Sequence, residues 1–216
     1  MKRVNESLTA PFERKILPGI ASRLPLFVTP DRLTAVALLS ALLAGIFYLY
    51  VPENWTLLLW INLLIFIHWL TDSLDGQVAR TRRIERPKYG HYVDHMLDAL
   101  SATLILGGIT SSSITFTASW LWMLIAFLLL ITHTHLASTV FGEFHLSFGA
   151  VGPTEARMAL VLINFIIFFF GNPIVSFEPI PATLMDLIGA VGAFGLFTML
   201  LVQVGRTTLI LRKNGR

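Results

Sequence analysis

The chain has 216 residues, 55% of them hydrophobic and 13% charged, with a formal net charge of +3 and a mean hydropathy of +0.71. Soluble domains carry about a quarter charged residues and could not bury this much apolar surface, so a soluble globule is excluded and an all-α polytopic membrane protein is expected. Cysteine is absent, which rules out disulfides and thiolate metal sites or nucleophiles.

In chain order, the first segment opens Met1, Lys2, Arg3 and stays polar to about Pro25. It lacks the short apolar core and small-residue cleavage site of a signal peptide, and none is expected. Within residues 1–28, Leu8, Phe12, Ile16, Ile20 and Leu24 recur every four residues, interleaved with Glu13, Arg14, Lys15 and Arg23. That spacing predicts an amphipathic helix lying in the membrane interface, with Pro11 and Pro18 as points where it breaks or kinks. "VTPDRLT" then supplies a helix start at Pro30 and Asp31.

Six apolar stretches of about membrane-spanning length follow, at residues 33–51, 55–71, 93–109, 114–137, 156–170 and 183–204. The third is the least obvious, because its first half carries Asp94, His95 and Asp98. The fifth reaches full length only by extending back to Pro153, a residue suited to a first helical turn. The phenylalanines at 165–170 read as lipid-facing bulk.

The cations fix the orientation. Lys2, Arg3, Arg14, Lys15, Arg23 and Arg32 precede the first span; Arg80, Arg82, Arg83, Arg86 and Lys88 lie between the second and third; Arg157 opens the fifth; Arg206, Arg212, Lys213 and Arg216 follow the sixth. The connections at 52–54, 111–113 and 171–181 hold none. The positive-inside rule then puts both termini in the cytoplasm and requires an even number of spans. The basic balance therefore describes a membrane face that attracts anionic lipid, and nucleic acid is not expected as a partner. No linker separates two domains, so residues 1–216 are expected to form one membrane domain.

The chemistry lies in "DSLDGQVARTRRIERPKYGHYVDHMLD", residues 72–98. If the second span continues as a helix to about Arg83, Asp72 and Asp75 stand one turn apart on one face, with Gly76 and Ala79 on or beside it. On the third span, Gly90, Asp94 and Asp98 follow at steps of four. Facing stripes would gather four carboxylates in one cavity at the cytoplasmic surface. Four anions in a low-dielectric site repel one another unless cations neutralise them. An oxygen-only ligand set points to a hard divalent ion, Mg²⁺, Mn²⁺ or Ca²⁺, held with substrate phosphates and commonly in pairs. Arg80, Arg82, Arg83 and Arg86 stand at the edge to receive phosphate.

Asp72-x-x-Asp75-Gly76-x-x-Ala79-Arg80 followed by Gly90-x-x-x-Asp94-x-x-x-Asp98 resembles the full signature of the CDP-alcohol phosphotransferases, and "TPDRLT" resembles their "TPN-x-LT", with aspartate where asparagine is usual. The resemblance implies an integral membrane homodimer in phospholipid biosynthesis. With two divalent metals, Mg²⁺ or Mn²⁺, it would join a CDP-linked alcohol to a hydroxyl acceptor, at least one of them a lipid, and release CMP. It implies Asp72, Asp75 and Asp94 as metal ligands and Asp98 as ligand or general base. Gly76, Ala79 and Gly90 would make room for cytidine, and Arg80 would sit by the diphosphate. "VDHMLDA" and "GPTEAR" are similar to "FDHG-x-D" and "TEG" of the choline/ethanolamine phosphotransferase branch, with Met96 and Ala156 in place of its glycines. This implies a dyad of His95 and Glu155 that activates the acceptor, so His95 and Asp98 stand as alternative bases.

Of the remaining histidines, His91 lies one turn before His95 and lines the same cavity or the helix mouth. His133 and His135 point to different faces, so at most one faces the interior. His68, one turn before Asp72, could support that carboxylate from behind, but a satisfied packing residue is the stronger expectation. Arg157 either binds an anionic acceptor or marks a helix end. Two other functions compete: a cation transporter or channel, which would spread acidic groups through the membrane depth, and a structural membrane protein, which would not need Gly76, Ala79 and Gly90 at these spacings.

Overall fold

The computed structural model describes residues 3–4, 9–141, 144–145, 152–175 and 181–214. Seven α-helices make up most of this: α1 Ala10–Arg23, α2 Pro30–Tyr50, α3 Leu57–Thr81, α4 Pro87–Ser111, α5 Ser119–Phe141, α6 Pro153–Phe170 and α7 Leu184–Asn214. Strand pairing among the described residues is confined to Arg3–Val4 beside Phe144–His145 and a single bridge between Ile174 and Thr183. Five helices, α2, α3, α5, α6 and α7, are long and apolar enough to cross a membrane, by length and composition. α4 has the length, 25 residues, but its polar first half keeps it out of that set.

Local chemistry sets the helix bounds. The Thr29 hydroxyl accepts from the Arg32 N–H at 3.4 Å and Pro30 fills the first turn of α2, as the "VTPDRLT" segment predicts. α5 starts at Ser119, five residues later than the 114 expected from hydropathy. The Asp186 carboxylate of α7 accepts the backbone N–H groups of Phe116 and Thr117 at 3.0 and 2.9 Å, which holds that stretch as a loop. α7 runs beyond the expected end at 204 to Asn214.

α1 continues through Pro18 without ending there. Its buried face also differs from the expected stripe. Leu17 and Ala21 are buried against Leu33, Leu74 and Val78, while Phe12 and Ile16 are exposed. Ile20 and Leu24 of the repeat pack against the same cluster, so the apolar arc is continuous, exposed at Phe12 and Ile16 and widened toward the core by Leu17 and Ala21. Leu8, the first residue of that repeat, lies outside the described residues.

α2 is the hub, packing against both α3 and α4, whereas α3 and α4 do not pack closely on each other. α1 and α6 lie on α3, and α5 joins α7 to α4. The α2–α4 crossing brings backbone to backbone. A Cβ on Gly45 would meet the Leu104 carbonyl oxygen at 2.3 Å, and one on Gly108 would meet the Gly45 carbonyl oxygen at 2.3 Å. Close approach through small residues is the usual basis of helix association in lipid, where burial of apolar surface gives little drive. A buried polar chain adds a second tie: the Tyr48 hydroxyl donates to Asn164 Oδ1 at 2.8 Å, and Asn164 Nδ2 donates to Asn62 Oδ1 at 2.7 Å, linking α2, α6 and α3. Large apolar side chains such as Trp60, Phe66, Phe169, Phe170, Phe194 and Leu201 face outward, the arrangement a lipid surround favours.

The crossing yields a paired prediction. Gly108→Ala, whose methyl group meets backbone, lowers stability by about 1–3 kcal/mol, whereas Gly107→Ala, with nothing within 4 Å of its Cβ position, leaves it nearly unchanged. Thermal unfolding of the two variants in detergent measures the difference.

Candidate active site

Because α2 holds α3 and α4 apart, a cleft opens between their polar ends. It forms a cavity of about 820 Å³, lined from α3 by Asp75, Gly76, Ala79 and Arg80, from α4 by Gly90, His91 and Asp94, and from the start of α2 by Thr29, Asp31 and Thr34. This volume suits a small-molecule ligand. Asp75 is buried, while Arg80, Arg86 and Lys88, which also line the cavity, are exposed. Carboxylate thus lies deep and cationic groups stand outermost. A Cβ on Gly90 would meet nothing within 4 Å, so the wall there is open. At Gly76 the space is already used: a Cβ would lie 3.3 Å from Arg80 Nη1.

The four aspartates divide into two pairs. Asp75 accepts from the Thr34 hydroxyl at 2.6 Å and from the Gly76 N–H, and with Asp94 it lines the cavity. Asp72 and Asp98 turn towards α6, where Arg157 Nη2 reaches them at 2.9 and 3.3 Å. The expected single cavity with four carboxylates is therefore occupied by two of them. Helix geometry accounts for the split: residues three apart are rotated by roughly 60° about the axis, so Asp72 looks to α6 when Asp75 looks to α2. The pairs remain within electrostatic reach, since the charges of both Asp72 and Asp94 act on Asp75.

Among the described residues, no three His, Asp or Glu side chains converge as placed on one metal position. The donor set still fits a hard divalent ion in kind. It consists of oxygen ligands from two helices, and one cationic group, Arg157, already bridges α3 and α4 through Asp72 and Asp98.

The loop arginines take different roles. Arg82 lies away from the cavity and donates to the carbonyls of Val28, Leu24 and Pro25 at 2.7, 2.9 and 2.9 Å, pinning the α1–α2 connection. Arg83, with φ 56°, forms the turn after α3. Arg80 points to Gln77 Oε1, with Nη2 at 2.9 Å. Arg86 pairs with Asp31 and lies over the Tyr89 ring, 4.1 Å from its centroid. Of the four arginines expected to receive phosphate, Arg80 and Arg86 line the cavity.

His95 stands edge-on to His91 and His135, with ring centroids at 4.5 and 4.6 Å. His135 is thus the member of the His133–His135 pair that joins this cluster. Glu155 lies elsewhere in its bonding: Oε1 accepts the Thr9 N–H and hydroxyl at 2.9 and 3.0 Å, and Oε2 accepts the Gly152 N–H at 2.9 Å, capping α6 and tying it to the start of α1. Thr34 and Arg157 are the site residues that motif reasoning undervalued. Thr34 is the last residue of the "TPDRLT" segment, and Arg157 follows "TEA" directly, so both had a local signal.

His68 is almost fully buried, at 3% exposure, and its Nδ1 has no hydrogen-bond partner among the described residues. It lies within electrostatic reach of Arg157 and Asp72, so it is not the satisfied packing residue that the sequence suggests. Replacing an orphaned polar group by an apolar ring of similar shape is neutral or stabilising. His68→Phe is therefore expected to keep or raise the melting temperature, read by thermal unfolding beside the wild type.

Comparison with known proteins identifies a family. A family model described as CDP-alcohol phosphatidyltransferase matches residues 27–208. A Dictyostelium discoideum protein described as "Uncharacterized CDP-alcohol phosphatidyltransferase class-I family protein 2" is 28% identical over 165 residues, covering 69% of this chain and 38% of the relative. The chain thus spans well under half the length of that relative. The family match runs from the start of α2 into the last turns of α7 and takes in every residue of the cavity, and on that extent the chain belongs to the CDP-alcohol phosphatidyltransferase family.

Proposed function

We propose that the protein transfers a substituted phosphate group from a CDP-alcohol to a hydroxyl acceptor and releases CMP, as a step in phospholipid biosynthesis. The observation that carries this reading is the cavity between α3 and α4, where Asp75, Gly76, Ala79, Arg80, Gly90 and Asp94 meet in one space. In this reading α4 is a sixth span, both termini and the cavity face the cytoplasm, the outward face of α1 lies in the interface, and the enzyme works as a homodimer.

Asp72, Asp75, Asp94 and Asp98 would hold two divalent ions, Mg²⁺ or Mn²⁺. When bound, these neutralise the diphosphate and polarise the phosphorus under attack. The chain's own side chains do the rest. Arg80 receives the diphosphate, and the open wall at Gly90 leaves room for the cytidine beside Ala79. Thr34 fixes the Asp75 carboxylate through its hydroxyl.

The acceptor hydroxyl must lose a proton as it attacks, so a base has to stand within hydrogen-bond reach. Asp98, which accepts from Arg157, and His95, which stands between His91 and His135, are the two candidates. In the choline/ethanolamine-type dyad Glu155 would accept from His95 beside its bonds to Thr9 and Gly152, and so orient it. The transporter alternative is disfavoured by the polar groups at depth: Tyr48, Asn62 and Asn164 satisfy one another, and Asp186 is saturated by Phe116, Thr117 and Thr183.

Purified protein with Mg²⁺ is expected to release CMP only when donor and acceptor are both present. CDP-diacylglycerol would be tested with serine, inositol or glycerol 3-phosphate, and CDP-choline or CDP-ethanolamine with dioleoylglycerol, with product mass scoring each pair. Chelation abolishes release, and Asp94→Asn lowers it by at least about 100-fold, the equivalent of ~2.7 kcal/mol in the barrier. Release at the wild-type rate from Asp94→Asn would remove the proposed role of that carboxylate. Arg157→Gln leaves Asp72 and Asp98 without their counter-charge. Its melting temperature is expected to fall in chelator and to recover with added Mg²⁺ more than the wild type's does.

A further inference from the structure

The cavity's outer rim contains a contact that the signature residues do not explain. Asp31, in the first turn of α2, pairs with Arg86, the residue that caps α4. Both side chains are 53% exposed, and both line the cavity. As a static tie such a pair contributes little, because water and salt screen it. The flat of the Arg86 guanidinium rests over the Tyr89 ring, 4.1 Å from the centroid, so the group stays at the mouth whether or not Asp31 holds it. One nitrogen, Nη2, carries the contact to Asp31. The remaining N–H groups of the fork make no further hydrogen bond with the described residues.

A guanidinium held by one exposed carboxylate exchanges readily to a better anion. A diphosphate offers two-point binding and more charge than Asp31 does. The other cations differ in their commitments: Arg82 is spent on main-chain carbonyls away from the cavity, and Arg80 bonds Gln77. We infer that Arg86 is a second diphosphate-binding residue of the donor site, parked on Asp31 until the nucleotide arrives, and that Asp31 thereby tunes donor affinity in this chain.

The inference rests on the donor-site reading above and is tested by binding alone. Cytidine, CMP and CDP are titrated calorimetrically into the full-length protein in detergent with Mg²⁺, for wild type, Arg86→Gln, Asp31→Asn and the double variant. Both positions are half-exposed, so the variants are expected to fold, and melting temperatures check this. Arg86→Gln weakens CDP by about 10-fold or more and leaves cytidine within about twofold. Asp31→Asn tightens CDP by about two- to fivefold, the worth of an exposed pair, and this gain shrinks when Arg86 is already glutamine. An equal loss for cytidine and CDP in Arg86→Gln overturns the inference, as does a CDP affinity that Asp31→Asn leaves unchanged or weakens. Wild-type protein that binds none of the three nucleotides overturns the donor-site reading and this one with it. Wild-type binding that the variants do not alter overturns this one alone.

Discussion

Carboxylates at the edge of an apolar medium have to be met by positive charge, and the polar end of this helix bundle is organised around that demand. Asp72, Asp75, Asp94 and Asp98 bring four negative charges to two helices that do not touch closely. One resident cation, Arg157, spans the gap and serves Asp72 and Asp98. Thr34 and the Gly76 N–H serve Asp75 by hydrogen bonds alone. Carboxylates gathered in such a cavity, with cationic groups at its mouth, are the electrostatic condition for drawing in divalent cations together with a phosphorylated substrate.

The gap depends on α2. Its glycine-mediated contact with α4, at Gly45 and Gly108, sets one spacing, and its packing on α3 sets the other. Were α3 and α4 to pack directly on each other, the aspartates would meet with no room for cation or nucleotide. The tie from Glu155 to Thr9 and Gly152 places the start of α6, and hence Arg157, against the α3 stripe. Arg82 fixes the α1–α2 connection from which Thr29, Asp31 and Thr34 enter the cavity. Packing and hydrogen bonds outside the cavity thus position side chains from four helices.

Much of this was legible in the sequence because it is local. The aspartate spacings, Gly90 and the helix start at Pro30 are written in steps of three and four, and a helix converts such steps directly into faces. What escaped was set by relations between helices. No periodicity tells that Asp72 and Asp75 look to different neighbours, that Glu155 caps α6, or that His135 and not His133 meets His95. Hydropathy also misplaced the start of α5, since a loop held by Asp186 has the same apolar composition as the helix it precedes. The stripe assigned to α1 was real as a pattern, yet Leu17 and Ala21, outside it, face the core. The crossing at Gly45 and Gly108 was likewise unreadable, because single glycines in a membrane helix do not announce which partner backbone they admit.

The most direct test of the central claim is a count of bound Mn²⁺ by electron paramagnetic resonance, on full-length protein in detergent with CMP present. Carboxylates of both helices serving one cation cluster predict saturable binding that is weakened by Asp75→Asn on α3 and equally by Asp94→Asn on α4. Binding that persists at wild-type strength after the loss of either helix's carboxylate would contradict the account.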